Sequence, residues 1–157
     1  MKILIDSREQ LPLEFIDPYV TETEVIALPV GDYSCEYKEG WQCPIIFERK
    51  TVGDLFNTLT HHYKRFKREI ERSKDMGVKL IILVEGSLTT VYEGIEHSKR
   101  GGETVVKQIF TLWVKYDIPT WYFCGNELNI RFEMSRFIIE TYSALGRKAM
   151  RDMRGKK

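Results

Sequence analysis

Asp32, Glu48 and Lys50 combine the side-chain types that phosphodiester hydrolysis needs, at a spacing that lets one hairpin bring them together. That reaction requires an activated water and positive charge against the scissile phosphate. A hard divalent cation supplies both, and such ions take oxygen ligands, chiefly carboxylates. A lysine ammonium beside them can orient the water or offset charge that builds in the transition state. Two convergent acids and one lysine are therefore the minimum set. Fifteen residues separate Asp32 from Glu48, about the length of a hairpin that returns the chain to its starting end. Glu48 and Lys50 are two apart, so a strand points both to one side and Arg49 to the other. Gly31 allows a sharp bend just before Asp32.

Periodicity and turn chemistry supply the elements that would hold these residues. Lys2 to Asp6 reads as a strand, and Glu24 to Leu28 as a second, with Pro29 favouring an edge or a bulge nearby. Asp32 to Tyr37 and Trp41 to Glu48 are extended runs joined through Lys38-Glu39-Gly40, a turn of hairpin length. Leu55, Phe56, Leu59, Tyr63, Phe66 and Ile70 recur at steps of three and four, which predicts one long helix ending at Met76-Gly77. Thr51 and Asp54 have the spacing of a capping box at its start. Lys79 to Val84 is almost continuously apolar and reads as a buried central strand. A polar loop from Glu93 to Gly102 leads into a helix over Glu103 to Tyr116, then an aromatic strand at Trp121 to Phe123. A last helix presents Ile130, Met134, Phe137, Ile138, Tyr142 and Leu145. The basic segment from Arg147 to Lys157 is expected to fray. Strands first, then alternating helix and strand, argue for an α/β fold with a central mixed β-sheet flanked by α-helices.

An Asp followed by Glu-x-Lys at a strand end is the general pattern of restriction-endonuclease-like nucleases, and the surrounding residues narrow it further. Gly31-Asp32, then Glu48-Arg49-Lys50, three residues and Asp54 resemble the hallmark of the XPF family of structure-selective endonucleases. Asp6-Ser7-Arg8-Glu9, Leu28-Pro29-Val30, Asp54-Leu55, Arg65-Phe66 and Val84-Glu85-Gly86 are similar to family segments in the same order. The resemblance covers Ile3 to about Gly86, and the remainder only by its helix–strand–helix order. It implies a restriction-endonuclease-like nuclease domain over residues 1–146 and a basic tail over 147–157. It also implies magnesium or manganese held by Asp32, Glu48 and Glu9, with Asp6 in support. Lys50 would act on the attacking water, Arg49 and Arg8 would bind phosphate or brace the acids, and Asp54 completes the motif. Family substrates are branched DNAs, cut in the duplex beside a single-strand junction or a 3′ flap, and family nuclease domains also pair with each other. A homodimer through the helical face is thus expected. Active members usually carry C-terminal helix-hairpin-helix motifs, which this sequence lacks, so it reads as an isolated or minimal version of the domain. A non-catalytic DNA-binding or scaffolding partner and a Holliday-junction resolvase are the rival readings.

Other features have plainer accounts. Lys64, Arg65, Lys67 and Arg68, with Arg72 and Lys74, either contact phosphates or form a solvated face paired with Glu69 and Glu71. Lys99 and Arg100 could add sequence-independent contacts that weaken with salt. Asp54 can serve as cap acid, site acid or both. Adjacent His61 and His62 diverge on a helix, which favours a solvated face over a ligand pair. Trp113, Trp121 and Tyr122 read as core. Cys35, Cys43 and Cys124 lack Cys-x-x-Cys spacing and read as buried apolar filler. In 157 residues the chain carries 43% hydrophobic and 30% charged side chains at a net charge of +1, ordinary for one globular domain. No apolar run approaches a bilayer span, and Asp6 comes too early for a secretory leader, so a soluble intracellular protein without organic cofactor is expected.

Overall fold

The computed structural model describes residues 1–96, 98 and 101–155. Six strands form one mixed sheet: β1 (Lys2–Asp6), β2 (Glu22–Ile26), β3 (Tyr33–Glu36), β4 (Ile45–Thr51), β5 (Lys79–Glu85) and β6 (Thr120–Phe123). Their spatial order is β2-β1-β3-β4-β5-β6. β3 runs antiparallel to both β1 and β4, while the β1–β2, β4–β5 and β5–β6 pairs are parallel. The helices are α1 (Val52–Leu59), α2 (Tyr63–Asp75), α3 (Leu88–Glu93), α4 (Gly102–Tyr116) and α5 (Glu127–Arg154).

Alternation along the strands divides the core into two layers. Ile46, Leu80, Ile82 and Val84 face one side, where Leu55, Phe56, Leu59, Phe66, Ile70, Val105, Ile109 and Leu112 from α1, α2 and α4 cover them. Ile3, Ile5, Phe47, Ile81 and Leu83 face the other, against Met134, Ile138, Ile139 and Tyr142 of α5. The Tyr142 hydroxyl donates to the Tyr33 carbonyl at 2.8 Å and to the Ile45 carbonyl at 3.2 Å, pinning α5 across the hairpin. Glu48 and Lys50 fall on the α1–α2 side with Ile46. The catalytic candidates are thus roofed by α2, not by α5.

Several expectations need correction. The long helix is two helices, broken at Thr60–His62. Thr60 bonds its own hydroxyl to the Phe56 carbonyl at 2.6 Å, and the Asn57, Thr58 and Thr60 side chains compete poorly for helix. α3, just ahead of the expected polar loop, is an additional short helix, capped by the Ser87 side chain, which accepts from the Thr90 amide at 2.9 Å. The basic segment continues α5 to Arg154 rather than fraying from Arg147. Lys148 pairs with Asp152 one turn on at 2.7 Å, and cations at the C-terminus suit the helix dipole. Trp113 and Trp121 are half-exposed, and Cys124 is exposed, whereas Cys35 and Cys43 are buried thiols. Lys99 and Arg100 lie outside the described residues. Among the described residues no helix is long and apolar enough to cross a membrane.

Candidate active site

The ends of β1, β3 and β4 open into a cleft of about 220 Å³ roofed by α2. Asp6, Arg8, Gly31, Asp32, Glu48, Lys50, Thr58, His62, Arg65, Phe66 and Glu69 line it. Asp32, Glu48 and Lys50 therefore share one cavity. Backbone bonds fix Asp32 from both sides: its N–H donates to the Phe47 carbonyl and its carbonyl accepts from the Asp6 N–H, each at 2.8 Å. Its Oδ2 also accepts the Arg49 amide at 2.7 Å.

Gly31 makes that placement possible. Its φ is +67°, and a Cβ there would lie 2.3 Å from Ile46 Cγ2 and 3.0 Å from the Phe47 carbonyl oxygen. Any side chain forces both left-handed strain and overlap with β4. Gly31→Ala is expected to destabilise the fold by about 2–4 kcal/mol in urea unfolding; a shift under ~0.5 kcal/mol would contradict the close approach.

Burial of Asp32 pushes its pKa up, and Glu48 pushes it further, to about 8. Glu48 is 5% exposed. Burial raises its pKa as well, partly offset by Lys50, whose ammonium pairs with it. For Lys50, burial opposes the charge, but Glu48 and Asp32 outweigh it and hold the ammonium protonated. Two neighbouring carboxylates, Glu48 buried and Asp32 half-buried, that resist joint ionisation are a donor set that a hard divalent cation would relieve. Magnesium commonly takes one or two carboxylates and fills its remaining positions with waters and substrate phosphate. The donor chemistry of Asp32 and Glu48 fits such an ion.

The third expected ligand, Glu9, stands beside the cleft, near enough for its charge to bear on Asp32. Glu9 accepts from the Tyr33 hydroxyl at 3.2 Å and from Arg49 Nη1 at 3.3 Å, and it does not line the cleft. Among the described residues no group of three or more His, Cys, Asp or Glu side chains is arranged to hold a metal ion. Arg49 faces the α5 side, bonded to Glu85 at 2.5 Å and to the Leu11 carbonyl at 2.7 Å. It braces Glu9 and the strand ends rather than facing the cleft. Asp6 lies in the cleft, but its oxygens are taken by the Leu28 amide at 2.9 Å and Arg8 Nε at 2.6 Å. Burial alone would raise its pKa, yet Arg8 and the amides more than offset this and hold it low. Arg8 also donates to the Leu28 carbonyl while its side chain stays largely exposed at the rim. Asp54 is exposed at the α1 cap, accepting from Thr51 Oγ1 at 2.8 Å and standing outside the cleft.

Of the basic run on α2, only Arg65 lines the cleft; Lys64, Lys67 and Arg68 are exposed on its outer faces. Thr58, His62, Phe66 and Glu69 were not foreseen as lining residues. A signal was present, since Thr58, His62, Arg65 and Glu69 recur at steps of four, three and four beside the apolar stripe.

The model of the ERCC4 domain family matches residues 5–132, which include every residue lining the cleft. No curated protein matches the chain in sequence. XPF from Aeropyrum pernix superposes with a TM-score of 0.56 at 20% identity, over 99% of this chain and 73% of that one. XPF from Aeropyrum pernix in complex with DNA gives 0.57 at 18%, over 96% of this chain and 66% of that one. Identities that low carry the fold: a restriction-endonuclease-like mixed sheet with flanking helices.

Proposed function

The chain belongs to the ERCC4 domain family, the XPF-type nuclease domains, and from that premise we propose that it is a metal-dependent DNA endonuclease cutting beside branch or flap junctions. The observation that carries this reading is the convergence of Asp32, Glu48 and Lys50 in one cleft, with Arg8 and Arg65 at its walls. Asp32 and Glu48 would hold magnesium or manganese. Such an ion supplies positive charge against the scissile phosphate and makes a nearby water more acidic. Lys50 keeps its proton beside Glu48, so its ammonium can orient the attacking water and offset charge in the transition state. Arg8 and Arg65 bind the phosphate oxygens, and Asp6 holds Arg8 in place. Water attacks phosphorus, one P–O ester bond breaks, and the leaving oxygen takes up a proton. Lys64, Lys67 and Arg68 would add phosphate contacts without sequence preference, weakening as salt rises.

DNA as the partner is supported by the likeness to an XPF bound to DNA, and the branched substrate by the family. A homodimer belongs to the same proposal. It is supported by apolar side chains left exposed on α5 and β6, among them Leu128, Phe132 and Trp121.

Labelled flap, fork, four-way junction and plain duplex DNAs, incubated with magnesium, manganese or chelator, test the reading. Cutting is expected only with metal and to cluster within a few nucleotides of the junction. Binding without cutting under every condition would replace the enzyme by a scaffold. Paired symmetric cuts confined to the four-way junction would replace it by a resolvase.

A further inference from the structure

We propose that Glu69 is a positioning residue of this centre, holding the Gly31 peptide so that Asp32 presents its carboxylate to the cleft. The inference rests on the nuclease reading above and adds a residue to it. Glu69 Oε1 accepts the Gly31 N–H at 3.0 Å across 38 positions of sequence. Gly31 is the left-handed residue immediately before Asp32. The same helix grips the same loop a second time, where Arg72 Nη1 donates to the Pro29 carbonyl at 2.8 Å. Buried Phe66 and Ile70 seat α2 on the sheet around Glu69. The loop carrying Asp32 is thereby tied to a packed helix. A carboxylate on a peptide N–H makes a strong, charge-assisted bond.

A simple ionic role on the outer face of α2 would leave Glu69 among Lys64, Lys67 and Arg68. It turns instead into the cleft, where its charge bears on Glu48, Lys50 and Arg8. Partners that orient a metal-binding side chain typically matter by about 10–100-fold in metal affinity or rate.

The test compares wild type, Glu69→Ala and Glu69→Gln, because Gln keeps an acceptor oxygen for Gly31 and loses the charge. Three readouts are taken: manganese binding by electron paramagnetic resonance, single-turnover cleavage of flap DNA, and exchange of the Gly31 amide by NMR in metal-free protein. Glu69→Ala is expected to weaken manganese binding and cleavage by about tenfold or more with DNA affinity unchanged, and to lose protection at Gly31. Glu69→Gln is expected to recover all three to within about threefold. If Ala binds manganese like wild type, or Gln does no better than Ala, the positioning role is overturned while the nuclease reading stands. If wild type neither binds manganese nor cuts, the nuclease reading falls, and amide exchange alone decides the clamp. Protection at Gly31 in wild type and Gln, lost in Ala, upholds it; an unprotected Gly31 in wild type removes it.

Discussion

Replacing Asp32 with Asn is expected to abolish cutting and, at the same time, to make the metal-free protein more stable. The two effects share one cause. Burial and the neighbouring Glu48 push the Asp32 pKa up to about 8, against an ordinary value near 3.9. A carboxylate whose folded pKa lies above its unfolded one binds a proton more tightly in the native state. Stability then falls as pH rises between those values, and the cost is complete above the folded pKa. Asn carries no charge at any pH and still offers an oxygen to the Arg49 amide, which Asp32 accepts at 2.7 Å. The variant should therefore gain on the order of 5 kcal/mol at pH 8.5, and under ~1 kcal/mol near pH 4. Thermal unfolding at the two pH values measures the difference. Manganese should raise the melting temperature of wild type at pH 8, because the cation neutralises the same charge, and should leave the Asp32→Asn variant unmoved. Loss of one of two donors should lower single-turnover cleavage by more than about 10³-fold, the equivalent of several kcal/mol of transition-state stabilisation. A variant that cuts near the wild-type rate would sink the catalytic role. One that is less stable at pH 8.5 would show that the carboxylate is held by contacts stronger than its repulsion.

How far the site could be read beforehand depended on whether its geometry was local. Asp32, Glu48 and Lys50 were legible because a strand alternates at period two, and the turn at Lys38–Gly40 returns β4 to the start of β3. All six strands were visible as apolar or alternating runs, though β4 starts at Ile45, one residue past Pro44, and runs to Thr51. The parallel partnership of β1 with β2 was not legible, since it depends on how the segment from Ser7 to Thr21 returns. The α1–α2 break was hidden for a specific reason. Leu55, Leu59, Tyr63, Phe66 and Ile70 keep helical steps straight through it, so the apolar pattern is the same whether the backbone continues or kinks. That one error concealed the roof of the cleft, because the polar sides of both helices turn inward together and bring Thr58, His62 and Glu69 to the acids. Glu9 misled in the opposite way. The family resemblance implied it as a ligand; its carboxylate is bonded to Arg49 and Tyr33, while its charge still bears on Asp32. Trp113 and Trp121 show the usual weakness of composition: a large aromatic is assigned to the core by type, yet both stand about half exposed.

Lys50→Ala is the second large effect, and its signature is electrostatic coupling rather than lost packing. The Lys50 ammonium pairs with Glu48, and the two side chains are 18% and 7% exposed. Removing the ammonium leaves Glu48 facing Asp32 and Glu69 with its nearest counter-charge gone, so Glu48 must take up a proton or destabilise the fold. Its pKa, already raised by burial, moves further up. By the same linkage the loss of stability grows as pH rises and shrinks in acid, where Glu48 is protonated in both proteins. Breaking a buried pair from one side typically costs about 3–5 kcal/mol, and partial exposure of Lys50 reduces this to roughly 2–3 kcal/mol at pH 8. A Glu48 that holds a proton is also a poor donor to a cation, so cleavage should fall by at least about 10³-fold, beyond what losing the ammonium alone would do. A double-mutant cycle separates these contributions. Glu48→Gln with Lys50→Met removes both charges and keeps both shapes, and it should recover most of the stability lost by Lys50→Met alone while staying inactive. Strict additivity of the two single changes would mean that the ion pair contributes nothing. Lys50 would then serve the reaction only through the phosphate or the water, and not by keeping Glu48 ionised.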